Sequence, residues 1–214
     1  MHLIQYPARL FRRLLAARDG VAMVELAFSL PILMLMALTG SELCNFITVR
    51  MRISQLALHL ADNSSRIGSG DLLAAKQITE TDINDLLTGA GLQAGGLDLY
   101  NRGRVVVSSV ERNDSGNGNV YKIGWRRCRG TGTYTSQYNN GVVSNNGVGK
   151  SGNEVIALPD NPAMYIEVYY RYRPLVGTSF APQIDIVETA SMVVRDRRDL
   201  TRIYNPDNVT ASSC

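Results

Sequence analysis

A long apolar run near the start of the chain limits what this sequence can fold into more than any other feature. Residues 21–49 are apolar or small except for two glutamates and an asparagine, and residues 26–41 carry no charge. About 20 such residues form a helix of ~30 Å, which matches the hydrocarbon thickness of a bilayer. Pro31 is compatible with such a helix, because neighbouring helices or the Ser29 hydroxyl can bond the carbonyl that proline leaves without a donor. The run therefore predicts one membrane-spanning helix.

The charges that flank the run predict its orientation. Four arginines precede it: Arg9, Arg12, Arg13 and Arg18. Only Arg50 and Arg52 follow closely, so we expect a cytoplasmic N-terminus and an exported remainder. A cleaved secretory signal peptide is the rival interpretation, but its apolar region usually has only about 7–15 residues. An uncleaved membrane helix explains the sequence better.

Glu25 is an unusual residue for this position in an apolar run. A carboxylate near the middle of a bilayer costs about 2.5–3.5 kcal/mol on insertion scales, so it needs either the headgroup region or a positive partner. If the chain were cut after Gly20, the new amine of Val21 would supply a positive group, and Glu25 would become the fifth residue of the product.

This arrangement resembles the prepilin pattern, and more narrowly the TadE-like family of the Tad (Flp) pilus system. Five positions within residues 18–62 match that family in order and spacing: Gly20, Glu25, Pro31, Gly40 and Glu42. Leu26 departs from the pattern, since an aromatic residue often follows the first glutamate in the family.

The resemblance implies a function and a set of partners. The chain would be a minor pilin or pseudopilin that a prepilin peptidase cuts between Gly20 and Val21, with Glu25 paired to the amine of a neighbouring subunit. Its partners would be the bacterial inner membrane, other Tad assembly components and pilin subunits. Its exported part would be periplasmic, or displayed on a pilus or the cell surface. Whether the leader is cut stays open at this point.

The helix is expected to continue beyond the membrane. Apolar residues recur at helical spacing on one stripe: Val49, Ile53, Leu56, Leu60 and Ile67. Gly68 and Gly70 would end the helix, so the sequence predicts a basic leader at 1–20, a helix at 21–67 and an exported domain at 68–214.

The exported domain is predicted to combine short helices with an antiparallel sheet. Two helices are expected, at 71–77 and at 80–87, with Thr79 and Asp82 forming a capping box and Gly89 closing the second helix. Four strands are then expected from β-branched content and alternation: 104–112, 120–129, 163–173 and 183–195. Residues 113–119 would be a hairpin turn, and the Gly/Asn/Ser/Thr-rich segment 131–153 a flexible surface loop. The expected fold is α+β and pilin-like, with a long helix packed on a small sheet.

Cysteine and histidine usage gives little support for metal or catalytic chemistry. Cys128 and Cys214 are predicted to form a disulfide, which a periplasmic location permits. Cys44 is interpreted as a small buried apolar residue, with a cross-link between subunits as the alternative. His59 has no second histidine or cysteine near it, so we interpret it as a solvated residue rather than a ligand. No catalytic residue, metal site or cofactor is predicted.

Charge and motif content separate the candidate functions. Residues 21–214 hold 18 basic and 18 acidic residues, so a nucleic-acid-binding face is not expected. An exported enzyme is poorly supported, because only acids such as Asp160, Glu167 and Asp185 could serve and no motif pairs them. The remaining alternative is a membrane-tethered binding module, whose Tyr134 and Tyr138 would contact a ligand or surface and which would not enter a pilus. No small-molecule substrate is predicted.

Overall fold

The computed structural model describes residues 19–70, 74–113, 120–144, 146–159, 161–177 and 183–214. The leader arginines and most of the predicted turn at 113–119 lie outside these residues. Within these described residues there are four helical segments: α1 (Asp19–Arg66), α2 (Glu80–Ala94), a 3₁₀ turn (Gly95–Leu97) and α3 (Leu99–Arg102). Five strands follow: β1 (Gly103–Arg112), β2 (Tyr121–Arg129), β3 (Gly141–Ser144), β4 (Ala163–Arg171) and β5 (Asp185–Val193). The fold is α+β, as the sequence predicts.

The chain divides into two compact units, residues 1–45 and residues 46–214. The described part of the first unit is entirely helical and forms the first part of α1. The second unit, which we call the folded domain, holds the rest of α1, all other helices and the whole sheet.

Within the folded domain, α1 packs on the sheet through the predicted stripe. Ile53, Leu56 and Leu60 are buried, and they join a core with Val105, Val107 and residues of β4 and β5. His59 and Leu58 lie on the exposed side. This confirms the periodicity argument, because a helix that faces water on one side buries residues only at spacings of three and four. Gly68 then takes a φ of +111°, a left-handed conformation that glycine adopts without steric cost and that ends the helix.

The sheet is antiparallel throughout, in the order β3-β2-β1-β4-β5. The four predicted strands are confirmed, with ends that differ by a few residues. The fifth, β3, lies inside the segment that was expected to be an irregular loop, and it pairs with β2 at the sheet edge. The interpretation of 131–153 as loop throughout is therefore corrected at 141–144, where pairing to a neighbour overrides a weak local preference.

The two faces of the sheet have different partners. On β4, Met164, Ile166 and Val168 face α1 and belong to the larger core. The alternate residues Tyr165, Glu167 and Tyr169 point to the other face. There Tyr134 packs on the ring of Tyr169, and Tyr138 packs on the ring of Tyr165. The period-two pattern in the sequence predicts this division correctly.

The region before the sheet differs from the prediction. The capping box of Thr79 and Asp82 is present, with both hydrogen bonds formed, at 2.9 and 3.1 Å. The helix that it opens runs to Ala94, so the prediction that Gly89 closes it is wrong. The helix predicted at 71–77 is also wrong where the structure describes it, since residues 74–77 are not helical. Instead the backbone of Gln77 pairs with that of Ser69.

The C-terminal segment crosses the folded domain and is tied to several elements. The Lys76 N–H donates to the Arg197 carbonyl at 2.8 Å, and the Glu80 N–H donates to the Tyr204 carbonyl at 2.8 Å. At the end of the segment, Cys214 forms a disulfide with Cys128 of β2 across a Cα–Cα distance of 4.9 Å. The tail thus closes over α2 and the β2 side of the sheet.

Candidate functional site

The first unit exposes an apolar helix surface that water does not favour. Across residues 20–45 nearly every residue is exposed, and none of the most apolar 18-residue window of α1 is buried. Phe28 and Met36 are 74% and 68% exposed. Large apolar patches of this kind mark a membrane or a protein interface. Within the described residues this is the one helix long and apolar enough to cross a membrane.

Gly20, Val21 and Glu25 all lie in the first turns of α1 as described. Val21 and Glu25 are four residues apart, so they share one face of the helix. After a cut between Gly20 and Val21, the Glu25 carboxylate would lie one turn from the new N-terminus, near the positive end of the helix dipole. Among the described residues, a Cβ at Gly20 would meet no atom within 4 Å beyond its chain neighbours and the nearby backbone of its own helix.

The helix is continuous through Pro31. Proline has no N–H and cannot donate to the carbonyl four residues earlier. The Ser29 hydroxyl donates to the Leu26 carbonyl at 3.3 Å, and the Ser41 hydroxyl donates to the Leu38 carbonyl at 2.9 Å. Both serines therefore satisfy their own polar groups inside the helix, which suits an apolar environment.

The structure joins the two cysteines that were expected to form a disulfide, whereas the interpretation of Cys44 as a buried residue is wrong. Cys128 and Cys214 are joined in the folded domain, while Cys44 lies on α1, exposed and outside any disulfide. Disulfides persist in oxidising compartments, which include the bacterial periplasm. A periplasmic location would therefore permit this bond.

The acids considered for catalysis serve structural roles where they are described. Glu167 is buried, and one carboxylate oxygen accepts a hydrogen bond of 2.7 Å from the Tyr134 hydroxyl. Burial, together with this bond, raises the pKa of Tyr134. Asp185 pairs with Arg171 at 3.1 Å. Asp160 lies outside the described residues. Among the described residues, no group of three or more His, Cys, Asp and Glu side chains could hold a metal ion.

The tyrosines proposed for surface contact are engaged in packing. Tyr134 stacks on Tyr169 with ring centroids 5.4 Å apart. Tyr138 meets Tyr165 edge-on at 5.9 Å, and its hydroxyl donates to the Gly149 carbonyl at 2.7 Å. Their rings anchor the 131–149 segment to the outer face of the sheet.

Sequence reasoning missed a cavity of about 510 Å³ at one end of the sheet. Three arginines line it, Arg102 from α3 and Arg171 and Arg173 from the end of β4, together with Tyr169 and Thr131. No local motif signals it, because antiparallel pairing of β1 with β4 brings together segments about 70 positions apart. We call this cavity the arginine pocket.

Comparison with known proteins adds no identification. No family model matches the chain, and neither a curated protein nor a solved structure matches it. The functional interpretation therefore depends on the N-terminal motif and on the geometry described above.

Proposed function

We propose that this chain is a TadE-like, membrane-anchored minor pilin or pseudopilin that takes part in Tad (Flp) type IV pilus assembly. The observation that carries the proposal is the first part of α1, an apolar helix that begins with Gly20, Val21 and Glu25 and has no cover within the described chain. A helix of this kind needs lipid or neighbouring helices around it. A pilin-like subunit meets both, first in the membrane and then beside other subunits.

In this proposal the chain crosses the bacterial inner membrane once. The arginine-rich leader stays in the cytoplasm and the folded domain lies in the periplasm. A prepilin peptidase cuts after Gly20, and Glu25 pairs with the amine of Val21 on a neighbouring subunit. This pairing removes the cost of an isolated carboxylate in lipid and fixes the axial register of adjacent helices.

The partners are accordingly the prepilin peptidase, pilin subunits and other Tad assembly components. The proposal assigns the chain no enzymatic activity, cofactor, nucleic acid or small-molecule substrate. The disulfide of Cys128 with Cys214 supports the periplasmic placement of the folded domain.

The alternative is a membrane-tethered binding module that never enters a pilus. The involvement of Tyr134 and Tyr138 in packing weighs against the 131–153 segment as its contact surface. Under this alternative α1 is an anchor only, so the chain keeps its leader and its deletion leaves pili unchanged.

The decisive experiment is intact-mass analysis of the membrane-extracted chain, with and without the prepilin peptidase of the host. The proposal expects a chain that starts at Val21 with the peptidase and at Met1 without it. Gly20→Val should prevent the cut, because the bulkier side chain stands next to the scissile bond. Gly40→Val is the matched control, since Gly40 is also helical and has open space around it. A start at Met1 in the presence of the peptidase would contradict the processing step.

The Glu25 pairing has its own test. Glu25→Gln keeps the size of the side chain but removes its charge, so processing should continue while recovery of the chain with sheared pili falls. Glu25→Asp, which keeps the charge, is the control and should be recovered better than Glu25→Gln. Equal recovery of the two variants would refute the pairing.

A further inference from the structure

One end of the folded domain contains the residue at which this unit begins. The folded domain begins at Phe46, whose ring contacts the edge of Tyr172 with centroids 5.2 Å apart. Tyr172 directly follows β4 and also lines the arginine pocket. We call this the Phe46 end. Along the chain, Phe46 directly follows residues 20–45, the apolar part of α1.

The charges at the Phe46 end favour an anion. Among the described residues that line the arginine pocket, three are arginines and none is acidic. Arg171 is paired with Asp185 at 3.1 Å, whereas Arg102 and Arg173 make no ion pair within the described part of the chain. Arginine binds phosphate oxygens through its planar, forked set of N–H donors.

An apolar side chain stands beside these arginines. Leu175 is 66% exposed and follows Arg173 by two positions. An exposed leucine beside these arginines does not stabilise the protein in water. At a membrane interface, however, the leucine can contact acyl chains while the arginines contact lipid headgroups. The same short loop thus offers a cation for the headgroup and an apolar side chain for the layer beneath it.

We infer that the Phe46 end is a docking surface for anionic phospholipid headgroups of the membrane that holds α1. Arg102 and Arg173 contact headgroup phosphates in and around the arginine pocket, and Leu175 inserts at the interface. The inference rests on the proposed membrane anchoring and adds to it a defined face of the folded domain that lies on the lipid. Held this way, the domain would lie against the bilayer until assembly removes the subunit from it.

The test uses the full chain in lipid nanodiscs. Leu175→Cys in a Cys44→Ser background provides one reactive thiol, which is labelled with an environment-sensitive fluorophore, and the disulfide is kept intact. Quenching by spin-labelled lipid is measured in phosphatidylcholine alone and with phosphatidylglycerol added. We expect quenching to increase with the anionic lipid and to weaken with salt, because exposed charge interactions are screened.

Paired substitutions assign the effect to the pocket. Arg102→Gln with Arg173→Gln should lower the ratio of docked to undocked chain about fivefold for each arginine removed. Arg195→Gln with Arg197→Gln is the matched control. Both control arginines are exposed, and the Arg197 carbonyl bonds Lys76 near the opposite end of the packed part of α1. Equal quenching in neutral and anionic lipid, or an equal loss in the control, would overturn the inference.

Two further measurements separate the possible failures. Release by inorganic phosphate but not by chloride at equal ionic strength would assign the pocket to free phosphate and overturn lipid docking. Resistance of the chain to alkaline extraction reports membrane insertion independently. An inserted chain that shows no dependence on anionic lipid overturns only the docking, whereas a chain that is not inserted overturns the membrane anchoring and the docking together.

Discussion

At the scale of single residues, the Arg198 side chain binds backbone carbonyls at the end of α1. It is buried, and its guanidinium donates to the carbonyls of Ser64, Ser65 and Ile67 at 3.3, 3.3 and 2.8 Å. Ser64 and Ser65 lie in the last turn of α1, whose carbonyls have no partner within the helix, and Ile67 directly follows its last residue. Burial lowers the pKa of Arg198 to about 10, so the bonds to α1 compensate for an unfavourable location of the charge.

Arg198→Met should therefore lower the free energy of unfolding by about 1.5–3 kcal/mol, because buried carbonyls lose a charged donor. Arg197→Met, at an exposed neighbouring position, should change it by less than about 0.5 kcal/mol. Urea unfolding followed by the fluorescence of Trp125, the one tryptophan in the sequence, measures both. Similar effects of the two substitutions would show that the contacts of Arg198 do not stabilise the end of α1.

Tyr100 predicts a response to alkaline pH. Burial raises its pKa to about 12, opposed in part by the charge of Arg129, which lies 5.2 Å from the ring centroid. Above its ordinary pKa of 10.0 the unfolded chain loses this proton first, so the free energy of unfolding should fall as pH rises from about 10 to about 12.

Tyr100→Phe should show a shallower decline over that range. At pH 8 the variant should be about 0.5–1.5 kcal/mol less stable than the original chain, since the hydroxyl bonds the Leu87 carbonyl. Urea unfolding at a series of pH values compares the slopes. Parallel curves for the original chain and the variant would disprove the assignment to Tyr100.

At the scale of elements, α1 changes character along its length. In the first unit nearly all of its surface is exposed, whereas in the folded domain one stripe is buried and the other faces are exposed. A 48-residue helix with two such parts needs two environments. Its apolar run requires lipid or other helices, and its later turns require the sheet.

Ile53→Ala should lower the free energy of unfolding by about 2–5 kcal/mol, because it removes a fully buried side chain between α1 and the sheet. Leu58→Ala, on the same helix at 53% exposure, should change it by less than about 0.5 kcal/mol. Denaturant titration of both variants tests the pair. A comparable loss from Leu58→Ala would indicate that the exposed side of α1 is covered.

How well each element could be predicted depended on where its stabilising partners lie. The stripe on α1 and the alternation in β4 were predictable, because each has one buried face and a regular period. The segment at 74–77 and strand β3 were not, since backbone pairing with distant residues determines their conformation. The sequence predicts a helix end at Gly89, yet this position has open space around it and α2 continues through it.

At the scale of the whole molecule, the two units carry different parts of the functional argument. The Gly20–Glu25 motif is contiguous, so the sequence alone could indicate it. The arginine pocket could not be predicted in this way, because it depends on the register of β1 against β4. The core clusters described here include no residue of 1–45, so the folded domain has its own core.

Residues 46–214 should therefore fold without the first unit. Produced in an oxidising compartment, this fragment should stay soluble without detergent, form the Cys128–Cys214 disulfide and unfold cooperatively. The full chain should need detergent, because the apolar surface of its first unit is exposed. Near-UV circular dichroism and thermal unfolding of the fragment measure this. A fragment that aggregates or lacks a cooperative transition would show that the core depends on residues 1–45.

The packing of α1 on β4 and β5 also has a consequence for the time course of synthesis. Leu60, in the apolar stripe of α1, is synthesised long before Val193, which completes the sheet that covers the stripe. At the usual ~5–20 residues per second this interval is on the order of ten seconds. During that interval these leucine and isoleucine side chains have no sheet to cover them. The order of elements along the chain thus leaves an apolar surface open to aggregation until synthesis is nearly complete.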